Sequence, residues 1–226
     1  MLFRSISLFN RNSEAKENLK KVYEEKGFYC EEYVQAYLAT RKKITSDDHF
    51  TLCELYIGME RYEDAQKELL SVHARSIMDD MTTGQLCLCK MSLFTETGAY
   101  KDASDLYGER VRFLDVFFKN PVRSRAAGDY YYYASVISTL MGLEDKLDIY
   151  IRRLREWCDI FPKNRILLSI TETAVLFVKK DEKAGEALAE CRQTILDFSG
   201  FKYEWERDNY LKKLERTARL KDASIG

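Results

Sequence analysis

Proline is nearly missing from this chain. Two occur in 226 residues, Pro121 and Pro162, and glycine is held to ten. With so few interruptions, long helices are the expectation, and both prolines fall between apolar-periodic segments, in "KNPVR" and "FPKNR". Histidine is limited to His49 and His73, which leaves little for a catalytic or metal centre. Net charge is lacking too: 36 Lys and Arg face 37 Asp and Glu, a formal charge of -1. A nucleic-acid binder ordinarily carries a basic excess that displaces counterions from phosphates, so the balance argues against that role for the whole chain. No apolar run of about 18 residues occurs, and no transmembrane helix is expected. Disorder is excluded as well, because 46% of the residues are hydrophobic.

Cysteines are present but not paired. Cys30, Cys53, Cys87, Cys89, Cys158 and Cys191 include no CxxC spacing. Cys87 and Cys89 would point about 200° apart on a helix and cannot meet on one metal. Scattered thiols acting as small core hydrophobes suit a reducing compartment, so a cytoplasmic location is expected. The opening "MLFRSISLFNRNS" has Arg4, Arg11 and no acid before Glu14. Residues 1–12 therefore read as a tail or short amphipathic segment, with organellar targeting as the alternative.

Catalytic signatures are lacking. There is no P-loop, GxGxxG or GxSxG. His49 and Cys53 stand at i and i+4, close to Asp47 and Asp48, but no third ligand is in reach of that pattern. No enzyme activity, cofactor or metal is expected.

What the chain has is helical period almost throughout. In "SEAKENLKKVYEEKG", Leu19, Val22, Tyr23 and Lys26 form one stripe, with Ser13 as N-cap and Gly27 ending the helix. Later helices are expected at about 79–97, 101–118, 122–141, 145–160, 164–179, 183–198 and 203–220. About eleven helices with short links imply antiparallel neighbours. The links recur: "KGFYCEEYVQAYL", "MERYEDAQKELL", "TGAYKDASDLYGERV" and "MGLEDKLDIYIRRL" share a turn, acidic residues, a small or apolar position and a helix. Their equivalent residues Glu32, Ala65, Ala103 and Leu147 are 33, 38 and 44 residues apart. A fifth unit, "KKDEKAGEALAECRQTIL", has a blurred register. Repeating helix pairs at such periods predict an all-α fold, an α-solenoid of about five antiparallel hairpins over 13–200, with a capping helix in 201–226.

"MERYEDAQKEL" and "TGAYKDASDLY" resemble the turn and second-helix start of the tetratricopeptide repeat family (TPR). Tyr56 and Phe94 match its first-helix aromatic, and Pro162 its terminal proline. The resemblance is best over 46–112 and fades beyond 164; the spacing drifts, and the usual leucine–glycine pair is replaced, for example by Leu52–Cys53. It implies a superhelix that binds a peptide or helix of a partner protein in a concave groove. The carboxylate clamp of some family members is not matched: its positions carry Glu17, Lys21, Thr51, Gln85 and Cys89. On the groove reading the contacts fall on first helices, at Phe50, Glu54, Leu88, Ser92, Tyr132, Val136 and Thr139.

Tyr132 belongs to a run of four tyrosines, Tyr130 to Tyr133. Consecutive residues on a helix point about 100° apart, so the four cannot share one role. Alignment of the following turn places Tyr131 inward and Tyr132 on the groove, with Tyr130 and Tyr133 beside neighbouring helices and their hydroxyls reaching solvent or a partner. The alternative is a patch for anions or RNA, built from Arg123, Arg125, Arg152 and Arg153. A regulatory adaptor, self-associating through an end helix, is the third reading.

Overall fold

The computed structural model describes the backbone of residues 2–73, 79–119 and 124–225, and the side chains of 13–72, 79–119 and 126–225. Among these residues there are eleven α-helices and no strand. They are α1 (Leu2–Lys26), α2 (Glu31–Ala39), α3 (Ser46–Gly58), α4 (Tyr62–His73), α5 (Asp80–Glu96), α6 (Tyr100–Phe117), α7 (Ser124–Leu140), α8 (Glu144–Trp157), α9 (Asn164–Val178), α10 (Ala184–Asp197) and α11 (Glu204–Thr217), followed by a 3-10 turn, Ala218–Asp222. From α5 onward every helix lies within a few residues of its expected bounds. Ser13 is a correction. The helix already runs from Leu2, so Ser13 sits in its interior and caps nothing. The side chains of residues 1–12, including Arg4 and Arg11, lie outside the described residues.

Two compact units result, Met1–Met78 and Asp79–Gly226. The boundary falls inside the span 13–200 that the sequence groups together, and α11 belongs to the second unit. In the first unit, Tyr33, Val34, Tyr37, Leu52 and Leu55 form a core between α2 and α3, with Leu19, Val22 and Tyr23 of α1 packed against it. Lys26, at the end of that stripe, is exposed and pairs with Glu32. In the second unit consecutive helices pack together, and α5, α7 and α9 also touch in series.

The short links repeat in the backbone as well as in the letters. After α3, Glu60 N–H donates to Ile57 and Arg61 N–H to Tyr56. The same pair of hydrogen bonds follows α5 (Gly98 to Thr95, Ala99 to Phe94), α7 (Gly142 to Thr139, Leu143 to Ser138) and α9 (Lys180 to Phe177, Asp181 to Leu176). Each pair closes a helix by turning one residue into the left-handed region: Glu60, Gly98, Gly142 and Lys180 have φ of 58°, 78°, 68° and 55°. These positions are 38, 44 and 38 residues apart, which gives the blurred fifth unit its register. The small residue after two of the turns is fully enclosed, at Ala65 and Ala103.

Left-handed backbone strains a side chain by about 1 kcal/mol. Gly142→Ala should therefore destabilise the second unit by about 1 kcal/mol even though open space surrounds a methyl there. Glu60→Gly should be neutral or stabilising in the first unit, since relief of strain is partly offset by a freer unfolded chain. Urea midpoints of the two variants, moving apart in those directions, check the turn.

Candidate partner-binding face

The four tyrosines diverge around α7, and all four are buried. Tyr130 stacks on Phe118 at 4.6 Å between ring centroids, and its hydroxyl donates to Asp115 Oδ1 at 2.7 Å. Tyr131 packs between Tyr150 and Trp157 of α8. Tyr133 donates to Glu96 Oε1 of α5 at 3.1 Å. Tyr132 shares a hydrogen bond of 3.2 Å with Thr217 Oγ1 of α11. The hydroxyls of Tyr130 and Tyr133 thus reach carboxylates inside the unit rather than solvent. Burial, before any neighbouring charge, raises the pKa of all four, Tyr131 to about 12.

Under Tyr130 lies a polar cluster that no sequence motif announces. Asp115 Oδ1 also accepts from Tyr150 at 2.8 Å, and Lys146 binds Oδ2. Because Tyr150 spends its proton on Asp115, Tyr107 must donate to Tyr150 across 2.6 Å, and Ser138 to Tyr107 across 3.1 Å. This chain of hydroxyls locks α6, α7 and α8 together.

Tyr132 was expected on an open groove. It is only 3% exposed, because α11 covers it. Lys213 lies over the Tyr132 ring at 4.4 Å and binds Asp129 at 2.8 Å. One turn on, Arg216 pairs with Glu96 at 3.1 Å, both almost enclosed. Leu220 and Ala223, just beyond, are buried. Thr95, Glu96, Tyr100, Tyr132, Arg216, Arg219 and Leu220 leave between them a cavity of about 20 Å³, the space of a single water. The seat is closely filled.

The other expected contacts fare similarly. Phe50, Leu88, Ser92 and Val136 are buried, and Leu88 and Val136 belong to the core, so they cannot meet a partner in this conformation. Thr139 is half-buried and its hydroxyl donates to Ser135 O. Glu54 alone of the seven is exposed. A helical wheel gives the direction of a side chain but not what lies there, and on α7 another helix does.

Of the arginine patch, Arg123 and the side chain of Arg125 lie outside the described residues. Arg152 is exposed, whereas Arg153 pairs with Glu156, and nearby Arg155 with Glu172. In the first unit His49 donates through Nδ1 to Glu68 Oε2 at 2.6 Å, and Cys53 is fully enclosed in the core. The side chain of His73 lies outside the described residues. Asp48 caps α3 jointly with Thr45 and accepts from Tyr37 at 2.6 Å. Burial opposes its charge, but the hydrogen bonds from Tyr37 and Thr45 and the nearby Arg41 prevail, and its pKa is lowered. An open trough between α1 and α2 runs over Val22, Gln35, Ala36 and Ala39, with Glu31 and Glu32 on its rim held by Arg61 and Lys26. Among the described residues no helix is long and apolar enough to cross a membrane.

Comparison with family models, with curated proteins and with solved structures returns no match.

Proposed function

We propose that the chain is a non-enzymatic scaffold, an α-solenoid of hairpins similar to tetratricopeptide repeats, that holds a helix or peptide of a partner protein. The observation that carries this reading is that the face made by α5, α7 and α9 seats a helix. It does so with the means by which helix-binding grooves work: aromatic surface, a buried leucine and a few oriented charges. The repeated turn supports the repeat architecture. Six free thiols, five of them buried, fit the reducing environment of the cytoplasm. The rival anion-binding face draws less support, because Arg153 is already neutralised by Glu156.

Photo-crosslinking residues at Glu54 on α3, Lys212 on α11 and Val116 on α6 test it in living cells. Val116 is 74% exposed and serves as the control on a second helix of a hairpin. The expected result is a discrete, ribonuclease-resistant protein adduct from Glu54 or Lys212 that Val116 does not give. Adducts removed by ribonuclease, equal yields at all three positions, or none at any would overturn the reading.

A further inference from the structure

A helix that only caps a stack of hairpins has to cover the last pair. α11 does cover α9 and α10, but it also reaches back to Asp129 and Tyr132 on α7 and to Glu96 on α5. Its attachment combines apolar contacts with paired charges. Within α11 itself only Leu214 and Thr217 are buried, whereas α9 buries Ile166, Leu167, Ile170, Thr171, Thr173 and Ala174. Tyr210 and Leu211 pack against the core, as do the buried Leu220 and Ala223 just beyond the helix. Four ion pairs reach three other helices and the link before α9: Glu206 to Lys163 at 2.6 Å, Glu215 to Arg192 at 2.9 Å, Lys213 to Asp129 at 2.8 Å and Arg216 to Glu96 at 3.1 Å. Paired charges fix position and register strongly but add little net stability, because desolvation offsets most of their attraction. Such contacts suit a ligand that is recognised and released better than they suit a permanent lid. The six residues Phe198–Tyr203 join α10 to α11 without helix, and Phe198 and Phe201 anchor this link against the core.

We propose that α11 with its 3-10 turn is a displaceable occupant of a helix-binding face, and that the partner which replaces it is a basic amphipathic helix. The chemistry of the covered surface defines that partner. Lifting α11 uncovers two carboxylates, Asp129 and Glu96, and the ring faces of Tyr132 and Tyr133, over both of which Lys213 now lies. A cation is wanted above the rings and a second one turn further along. The matching pattern is two basic residues three positions apart and a leucine four positions beyond, as Lys213, Arg216 and Leu220 stand here. An acidic or purely apolar helix would leave both carboxylates without a cation, Glu96 in a nearly enclosed place. This inference rests on the scaffold reading and specifies the occupant of one face.

The test introduces a cleavage site for a specific protease after Gly200 of the full chain, cuts it, and adds a fluorescent peptide of residues 201–226. Exchange of the bound segment for the labelled peptide is expected, while the remainder keeps its cooperative melting. A peptide carrying Lys213→Glu and Arg216→Glu should compete at least about 10-fold less well. No exchange over days, or equal competition by the charge-reversed peptide, overturns the proposal. Should the cut chain fail to stay folded, hydrogen exchange on the uncut chain decides. Amides of α11 are expected to exchange at least about 100-fold faster than those of α7 and α9, and equal protection would mark α11 as a permanent part of the fold. The scaffold reading is judged separately: adducts at Glu54 would sustain it even where α11 proves fixed.

Discussion

Asp115→Ala should cost the second unit about 3 kcal/mol. The carboxylate accepts from Tyr130 and Tyr150 and pairs with Lys146, so its loss strands two phenol groups in the core and a lysine beside it. Each buried hydroxyl left without an acceptor costs about 1–3 kcal/mol, and the vacated space adds to this. Asp115 is itself partly exposed, and entering water relieves some of the penalty. For a unit of this size the melting temperature should fall by roughly 6–12 °C. Lys146→Ala, by contrast, removes a half-exposed partner and should cost less than about 1 kcal/mol. Tyr150→Phe should fall between the two, since it keeps the ring and loses the contacts to Asp115 and Tyr107. Thermal or urea melts of the three variants give the order. A loss under about 1 kcal/mol for Asp115→Ala would show that α6, α7 and α8 are not held by the cluster.

The second large effect is alkaline unfolding. Tyr107, Tyr130, Tyr131, Tyr132, Tyr133 and Tyr150 are all buried, and burial is in each case the main reason the pKa is raised. Folded, these phenols keep their protons above pH 10; unfolded, they release them near pH 10. The folded state then binds more protons than the unfolded one. The stabilisation is whole below the unfolded pKa and is lost as pH rises through the window from about 10 to the raised values, about 12 for Tyr131. Six groups losing roughly 1 kcal/mol each per pH unit would remove most of the stability of an ordinary domain by about pH 11. Phenolate absorbance should therefore rise in two stages, first from exposed tyrosines and then abruptly, together with the loss of helix. If all fifteen tyrosines ionised before the circular dichroism changed, the six would have to be in contact with water.

Helix positions were largely legible because apolar period and turn chemistry coincide. Gly98 and Gly142 announce their turns, and Ala65 and Ala103 announce the close crossings that follow. Glu60 and Lys180 make the same turn without a glycine, so the register of the last hairpin was hidden in the letters and shows only in the backbone. Ser13 reads as a cap for a local reason, yet the helix continues through it. The site was less legible. The divergence of Tyr130 to Tyr133 follows from helix geometry, but Tyr132 is covered by Lys213 and Thr217, some eighty residues downstream, and no local pattern foretells that contact. Asp115 was invisible for the same reason: one acid among many on a charged helix becomes the acceptor for two tyrosines only when three helices meet.

The cysteines, first read as filler, acquire a use from where they lie. Cys53 is enclosed on α3, Cys87 and Cys89 on α5, Cys158 just after α8 and Cys191 on α10. Burial pushes the thiols of Cys87, Cys158 and Cys191 up, away from the reactive thiolate. An alkylating reagent can take each one only when its own stretch of chain breathes. The molecule therefore carries its own set of chemical clocks, and the order in which they stop records which hairpin lets go first.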